Sequence, residues 1–209
     1  MISVEQNNTP VLNGLVLTGG KSRRMGQDKS MIAWYGKPQR YTMAGMLTSL
    51  CEKVYISCRP EQKHDIDSRY TALEDAYTDL GPYGAILSAF KAGPNAAWLI
   101  TACDLPLLDH DTLRYLIQHR DPAKIATTFK SPHDELPEPL ITIWEPRSYP
   151  ILLSFLSEGR TCPRKALINS DVSILTPPDP TALMNVNTPE EMEKAKLIIT
   201  QRQHEPHAG

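Results

Sequence analysis

Between Leu17 and Lys29 the chain reads LTGGKSRRMGQDK, with three glycines and four cationic side chains in thirteen residues, directly after the apolar run GLVL (14–17). The adjacent Gly19 and Gly20 let backbone come close to a ligand and turn successive N–H groups into one concavity, a geometry that suits phosphate oxygens. Lys21, Arg23, Arg24 and Lys29 supply charge, arginine as a bidentate donor to phosphoryl oxygens and lysine as a mobile point charge. The spacing is neither Gly-x-x-x-x-Gly-Lys-Ser/Thr nor Gly-x-Gly-x-x-Gly, which disfavours a P-loop ATPase and a dinucleotide-binding fold. A solvated basic loop that turns the chain between a strand and a helix is the competing reading of the same residues.

Acidic residues follow other apolar runs. AAWLITA (96–102) ends in Cys103-Asp104-Leu105-Pro106, and a single acid facing a triphosphate is a natural Mg²⁺ ligand; a helix cap or turn residue is the alternative. Glu74-Asp75 follows the short run Tyr70–Leu73 and precedes Leu80-Gly81-Pro82-Tyr83-Gly84, which reads as a tight turn opening a helix. The acidic, proline-rich segment Asp134–Leu140 and the segment Glu158–Arg164, which carries Arg160 and Arg164, both read as exposed loops on their own. In Asn185-Val186-Asn187-Thr188-Pro189-Glu190-Glu191, Thr188 as N-cap, Pro189 at the first helical position and acids in the first turn explain a helix start. Capping leaves Asn185 and Asn187 unexplained; in an extended stretch they point to one face, where an amide could orient a metal-bound water or an acceptor oxygen.

The elements that must position these residues are legible as short apolar runs separated by helical spacing. Strands are expected at 14–17, 53–57, 96–102, 124–129 and 139–144, and helices at Gln39–Cys51, Tyr83–Ala92, His110–His119, Tyr149–Leu156 and Pro189–Ile199, with Asp109 a further N-cap. Several runs are apolar without alternation, the pattern of strands covered on both faces and so of a mostly parallel sheet between helices. The βαβαβα order predicts an open α/β sheet, in which ligands bind outside the carboxyl ends of the strands. The residues that follow each strand are therefore the ones to read for function.

At 209 residues the chain has room for one α/β domain, or at most two small ones, with a short disordered polar lead-in expected over 1–11, the domain over 12–200 and a frayed polar tail over 201–209. The net charge of −2 argues against broad capture of nucleic acid or an anionic membrane, so any cationic function is local. Cys51, Cys58, Cys103 and Cys162 are scattered, which suggests neither a disulfide framework nor a zinc site and fits a reducing cytoplasm. No apolar run approaches the ~18 residues of a membrane span, and the N-terminus lacks the features of a signal peptide.

The stretch from Leu17 to Lys29 resembles the signature loop of the nucleotidyltransferases related to MobA, Leu-Ala-Gly-Gly-x-Ser-x-Arg-Met-Gly-x-Asp-Lys, with Thr18 in place of alanine. Cys103–Pro106 is similar to the metal-binding Asp-x-Pro segment of that family, and Asn185–Glu191 to its closing Asn-x-Asn-Thr-Pro-Glu-Glu. The resemblance spans roughly residues 12–195. It implies a single Rossmann-like nucleotidyltransferase domain, mostly parallel with helices on both faces, that joins GMP from GTP to molybdopterin, the molybdenum cofactor, with Mg²⁺ and release of pyrophosphate. It further implies nucleotide contacts at Leu17, Thr18, Gly19, Gly20, Lys29, Asp75 and Asp104, catalytic roles for Arg24, Lys29 and Asp104, and metal binding by Asp104. The Gly-Pro-x-x-Gly turn of the family is matched at Gly81, with the second glycine, Gly84, one residue early. The family's strand-end asparagine is replaced by Cys58, a poor hydrogen bonder. Acceptor binding falls to Arg160, Arg164, Asn185 and Asn187. Partners of this kind are other cofactor-biosynthesis proteins or molybdoenzyme chaperones. Two rivals stand beside it: a cytidylyl- or sugar-phosphate nucleotidyltransferase of the same fold, usually with Ala-Ala-Gly at the loop, and a non-catalytic nucleotide-binding maturation factor.

Overall fold

A computed structural model describes residues 9–18 and 28–204. Its sheet strands are β1 (Leu12–Leu17), β2 (Val54–Cys58), β3 (Thr71–Glu74), β4 (Ala97–Ala102), β5 (Ala126–Lys130), β6 (Pro137–Trp144) and β7 (Val172–Leu175), and the helices are α1 (Gln39–Thr48), α2 (Pro82–Ala92), α3 (His110–Gln118), α4 (Ser148–Ser157), α5 (Pro163–Ile168) and α6 (Pro189–His204). The sheet order is β3-β2-β1-β4-β6-β5-β7. All neighbours run parallel except β6, which is antiparallel to both β4 and β5. β5 and β6 are joined only by the segment 131–136, too short for the crossover that a parallel pair needs, so they form a hairpin.

Burial follows strand parity. Leu15 and Leu17 of β1 with Trp98, Ile100 and Ala102 of β4 face α2, α4 and α5, while Val16, Leu99 and Cys103 pack with Met43, Ala44 and Leu47 of α1 and with α3. β4 is buried at every position, which accounts for its unbroken apolar run. Gly14 lets β1 and α1 approach: a Cβ there would lie 3.0 Å from Leu47. The chain leaves β1 for β2 and β3 on one side, then crosses to β4 on the other. The sheet's topological switch point therefore lies between β1 and β4.

The structure adds elements to those expected. β3 and β7 are short strands at the two sheet edges, half-exposed, without the apolar run that marks a central strand. α5 places Arg164 on a helix rather than in a loop. α1 ends at Thr48 instead of Cys51, and β5 begins at Ala126 instead of residue 124. Residues placed in the polar termini are partly built in. The Pro10 carbonyl accepts from Arg120 at 2.9 Å and that of Val11 from the Ala97 N–H at 2.9 Å. α6 runs to His204 because Arg202 donates to the Leu107 carbonyl and the Asp179 carboxylate. Among the described residues no helix is long and apolar enough to cross a membrane.

Candidate active site

At the carboxyl end of the sheet, Leu17 and Ser57 are partners in the β1–β2 register. With Asp75, Gly81 and Ala85 they wall a pocket of about 580 Å³ on the α2 side. The Thr18 hydroxyl donates to the Ser57 carbonyl at 2.6 Å, and the Ser57 hydroxyl donates to the Asp75 carboxylate at 2.8 Å. The Asp75 N–H continues the ladder to the Cys58 carbonyl at 2.9 Å. Burial raises the Asp75 carboxyl above the usual carboxylate range, opposed by the Ser57 hydrogen bond and the Arg59 charge.

The outer wall is the turn 77–81, in which Asp79 and Gly81 take left-handed φ of 62° and 55°. It sits directly on the backbone of α2. A Cβ on Gly84 would overlap the Tyr77 carbonyl oxygen, and the Ser88 hydroxyl, which donates to the Gly84 carbonyl, accepts the Ala76 N–H at 2.8 Å. Gly84 is thus required by close approach, whatever its offset from Pro82.

Beyond β4, Asp104 stands at the switch point with its carbonyl accepting from the Val186 N–H at 2.8 Å. Val186 is buried, which turns Asn187 outward, and the Lys29 ammonium donates to the Asn187 amide oxygen at 2.6 Å. Asp104 Oδ1 is buried and has no hydrogen-bond partner among the described residues. Desolvation raises the Asp104 carboxyl above its ordinary range, and the nearby Lys29 charge pulls it back. The β4–β6 register ends at the pair Thr101–Ile141, and past it the Asp104 carboxyl comes near enough for its charge to act on Glu138. Glu138 is buried and held by Arg164 at 3.0 Å, which also grips Asp134 at 2.7 Å. Burial raises the Glu138 carboxyl, Arg164 lowers it and Asp104 raises it.

Lys29, Asp104 and Asn187 thus converge, while Leu17 and Asp75 line the pocket at the ends of β1 and β3 and Thr18 joins them through its bond to the Ser57 carbonyl. Arg164 reaches the Asp104 side through Glu138. Asn185 is half-buried next to Val186. Arg160 lies apart from this cluster, stacked 4.0 Å over the Phe155 ring and paired with Glu158, where its charge is felt by the Tyr83 hydroxyl of α2. Gly19, Gly20 and Arg24 lie outside the described residues. Cys58 belongs to the α1-side core at 2% exposure, its thiol pushed up to about 11 chiefly by burial, so its side chain does not line the pocket; Ser57, one residue earlier, does. Strand parity carries the signal that distinguishes them: Val54, Ile56 and Cys58 share one face, and Tyr55 and Ser57 the other. Among the described residues, no group of three or more acidic, histidine or cysteine side chains forms a metal cage; Asp104 offers a carboxylate with an unpartnered oxygen, and the nearby Glu138 carboxylate is held by Arg164.

Comparison with known proteins places this site in context. A relative from Synechocystis, a molybdenum cofactor biosynthesis bifunctional protein, is 34% identical over 186 residues, covering 88% of this chain; the chain spans about half of that relative, 53%. A molybdenum cofactor guanylyltransferase from Pseudomonas fluorescens is 29% identical over 199 residues, covering 92% of this chain and 98% of the relative. The crystal structure of molybdopterin-guanine dinucleotide biosynthesis protein A from Archaeoglobus fulgidus shares the fold with a TM-score of 0.76 at 21% identity, covering 90% of this chain and 99% of that one. The MobA-like NTP transferase domain profile matches residues 14–173, across β1 to β7 and every strand end that builds the site. The chain belongs to this family of nucleotidyltransferases.

Proposed function

We propose that the chain transfers GMP from GTP to the terminal phosphate of molybdopterin, the molybdenum cofactor, forming molybdopterin guanine dinucleotide and releasing pyrophosphate. The observation that carries this reading is one juxtaposition. A pocket of nucleoside size opens at the ends of β1, β2 and β3, and at the end of the neighbouring strand β4 stand a carboxylate, with one buried oxygen unpartnered among the described residues, and a lysine bonded to Asn187. The names of the relatives support guanine and molybdopterin as the two substrates.

An oxygen of the acceptor phosphate attacks the α-phosphorus as the bond to the bridging oxygen breaks and pyrophosphate leaves, so catalysis is positioning and electrostatics without a protein nucleophile. Leu17, Thr18, Gly19, Gly20 and Asp75 bind the nucleotide. Lys29, steered by Asn187, offsets charge on the departing pyrophosphate, and Arg24 joins it on the strength of the signature. Asp104 suits Mg²⁺, which takes one or two carboxylates and fills its remaining positions with phosphate oxygens and water. Bound there, the ion supplies charge neutralisation for the phosphoryl oxygens. Asn185, Asn187 and Arg164 are assigned to the acceptor, with Glu138 and Asp134 orienting the Arg164 guanidinium; Arg160, held on Phe155 and Glu158 away from them, takes no part in this reading. The four cysteines are all free, which supports a reducing cytoplasm as the compartment.

The test is pyrophosphate release with molybdopterin as acceptor and Mg²⁺ with GTP, CTP, ATP or UTP in turn. GTP is expected to exceed the others by about 10-fold or more in kcat/KM. Equal or faster turnover with CTP would sink the guanylyl assignment.

A further inference from the structure

We infer that Thr18 and Ser57 are positioning residues that aim the Asp75 carboxylate at the nucleotide through a hydrogen-bonded chain across the ends of β1, β2 and β3. This rests on the reading of the pocket as the nucleotide site. The backbone of Asp75 is fixed by its N–H bond to Cys58, which still leaves the side chain free to rotate. The Ser57 hydroxyl removes that freedom by engaging one carboxylate oxygen, Oδ1, at 2.8 Å. Ser57 is itself 4% exposed, and its carbonyl is gripped from β1 by Thr18 at 2.6 Å. Thr18 stands where the family signature carries alanine, so in this chain the strap gains a third strand. One oxygen of Asp75 is thereby occupied and the other is presented to the pocket as an acceptor only. Its natural partners are donors on the nucleotide, either ribose hydroxyls or the N–H groups of the base edge.

The hydrogen bond has an electrostatic effect as well. Burial raises the Asp75 carboxyl, and the Ser57 hydroxyl works against that rise. Arg59, Glu61, Tyr77 and Asp79 are the other charged and titratable groups in the pocket wall, with the Cys58 thiol behind β2 and Glu74 beside it. Loss of the Ser57 hydroxyl therefore moves the acid limb of nucleotide binding to higher pH.

Isothermal titration of GTP in a chelator, across pH, reads this without turnover. S57A is expected to raise Kd about 10-fold, as for loss of a hydrogen bond to a charged group, and to shift the acid limb upward. T18V gives a smaller loss, and T18S, which keeps the hydroxyl, restores wild-type binding. In a D75N background the S57A penalty disappears, because the group it orients is gone. Titration of 2′-deoxyGTP, 3′-deoxyGTP and ITP into wild type and D75N identifies the donor: the analogue whose affinity no longer depends on Asp75 lacks the group that Asp75 reads. Wild type that binds GTP while the S57A and D75N losses simply add, with an unmoved acid limb, overturns the positioning role alone. Wild type that binds no nucleoside triphosphate overturns the nucleotide reading and this role with it.

Discussion

Asp104, the proposed Mg²⁺ ligand, carries a stability cost of its own in the folded chain. Its carboxyl is raised above the ordinary range by burial, so the folded chain holds the proton more tightly than the unfolded chain does. Stability from this group is therefore fullest at low pH and is lost as pH rises from the unfolded carboxylate range through the raised folded value. Lys29 offsets part of that cost, and Oδ1 remains without a partner among the described residues. Asp104→Asn removes the ionisation. It is expected to cut Mg²⁺-dependent turnover by about 100-fold or more, yet to raise the Tm of the metal-free protein at pH 7. That gain should shrink toward pH 4. Thermal unfolding in a chelator checks this, and a lowered Tm at pH 7 in the variant would contradict it.

At the scale of elements, the pocket depends on how the turn 77–81 sits on α2. Ser88 clamps the two together, and Gly84 leaves the gap into which the Tyr77 carbonyl fits. Alanine is the better helix former by about 1 kcal/mol, but at position 84 its Cβ would occupy the place of that carbonyl oxygen. Gly84→Ala is expected to lose about 1–3 kcal/mol of stability by overpacking and to weaken GTP binding, because the displaced turn carries Asp79 and Gly81 of the pocket wall. A urea midpoint equal to that of the parent protein would show that the turn yields freely. The helix start at Thr188 is a contrasting case. Thr188 and Glu191 cap each other as their order in the sequence predicts, since the partners lie three residues apart.

Over the whole molecule, the carboxyl edge of the sheet, where the proposed site lies, has its counterpart in an ion pair at the other end. Arg120 follows α3 and meets Glu145 just past β6, with bonds of 2.6 and 2.9 Å and side chains 9% and 1% exposed. Arg120 also binds the Pro10 carbonyl, so one guanidinium joins the entry to β1, the end of α3 and the end of β6. Arg120→Met leaves Glu145 buried without its cation and is expected to cost about 3–5 kcal/mol, whereas pairing it with Glu145→Leu recovers much of the loss. Denaturant unfolding of the single and double variants measures this. A double variant no more stable than the single one would show that the buried carboxylate is not the source of the cost.

The sequence by itself determined the central strands and the main helices, because each depends on neighbours within a few positions: apolar runs for β1 and β4, caps for α3 and α6; it marked Lys29 in the signature loop and Asp104 in the Cys103–Pro106 segment as site candidates. Edge strands β3 and β7 and the six-residue α5 escaped it, since they are too short to show a period and are held by their partners. Only the tertiary structure decided that Lys29 meets Asn187 across 158 positions of chain, that Glu138 comes within electrostatic reach of Asp104, and that Ser57 rather than Cys58 faces the pocket. Those outcomes follow from sheet order and register. Parity along β2 separates the Ser57 face from the Cys58 face, but which of the two carries the pocket is decided by the sheet order and the helices packed on each side.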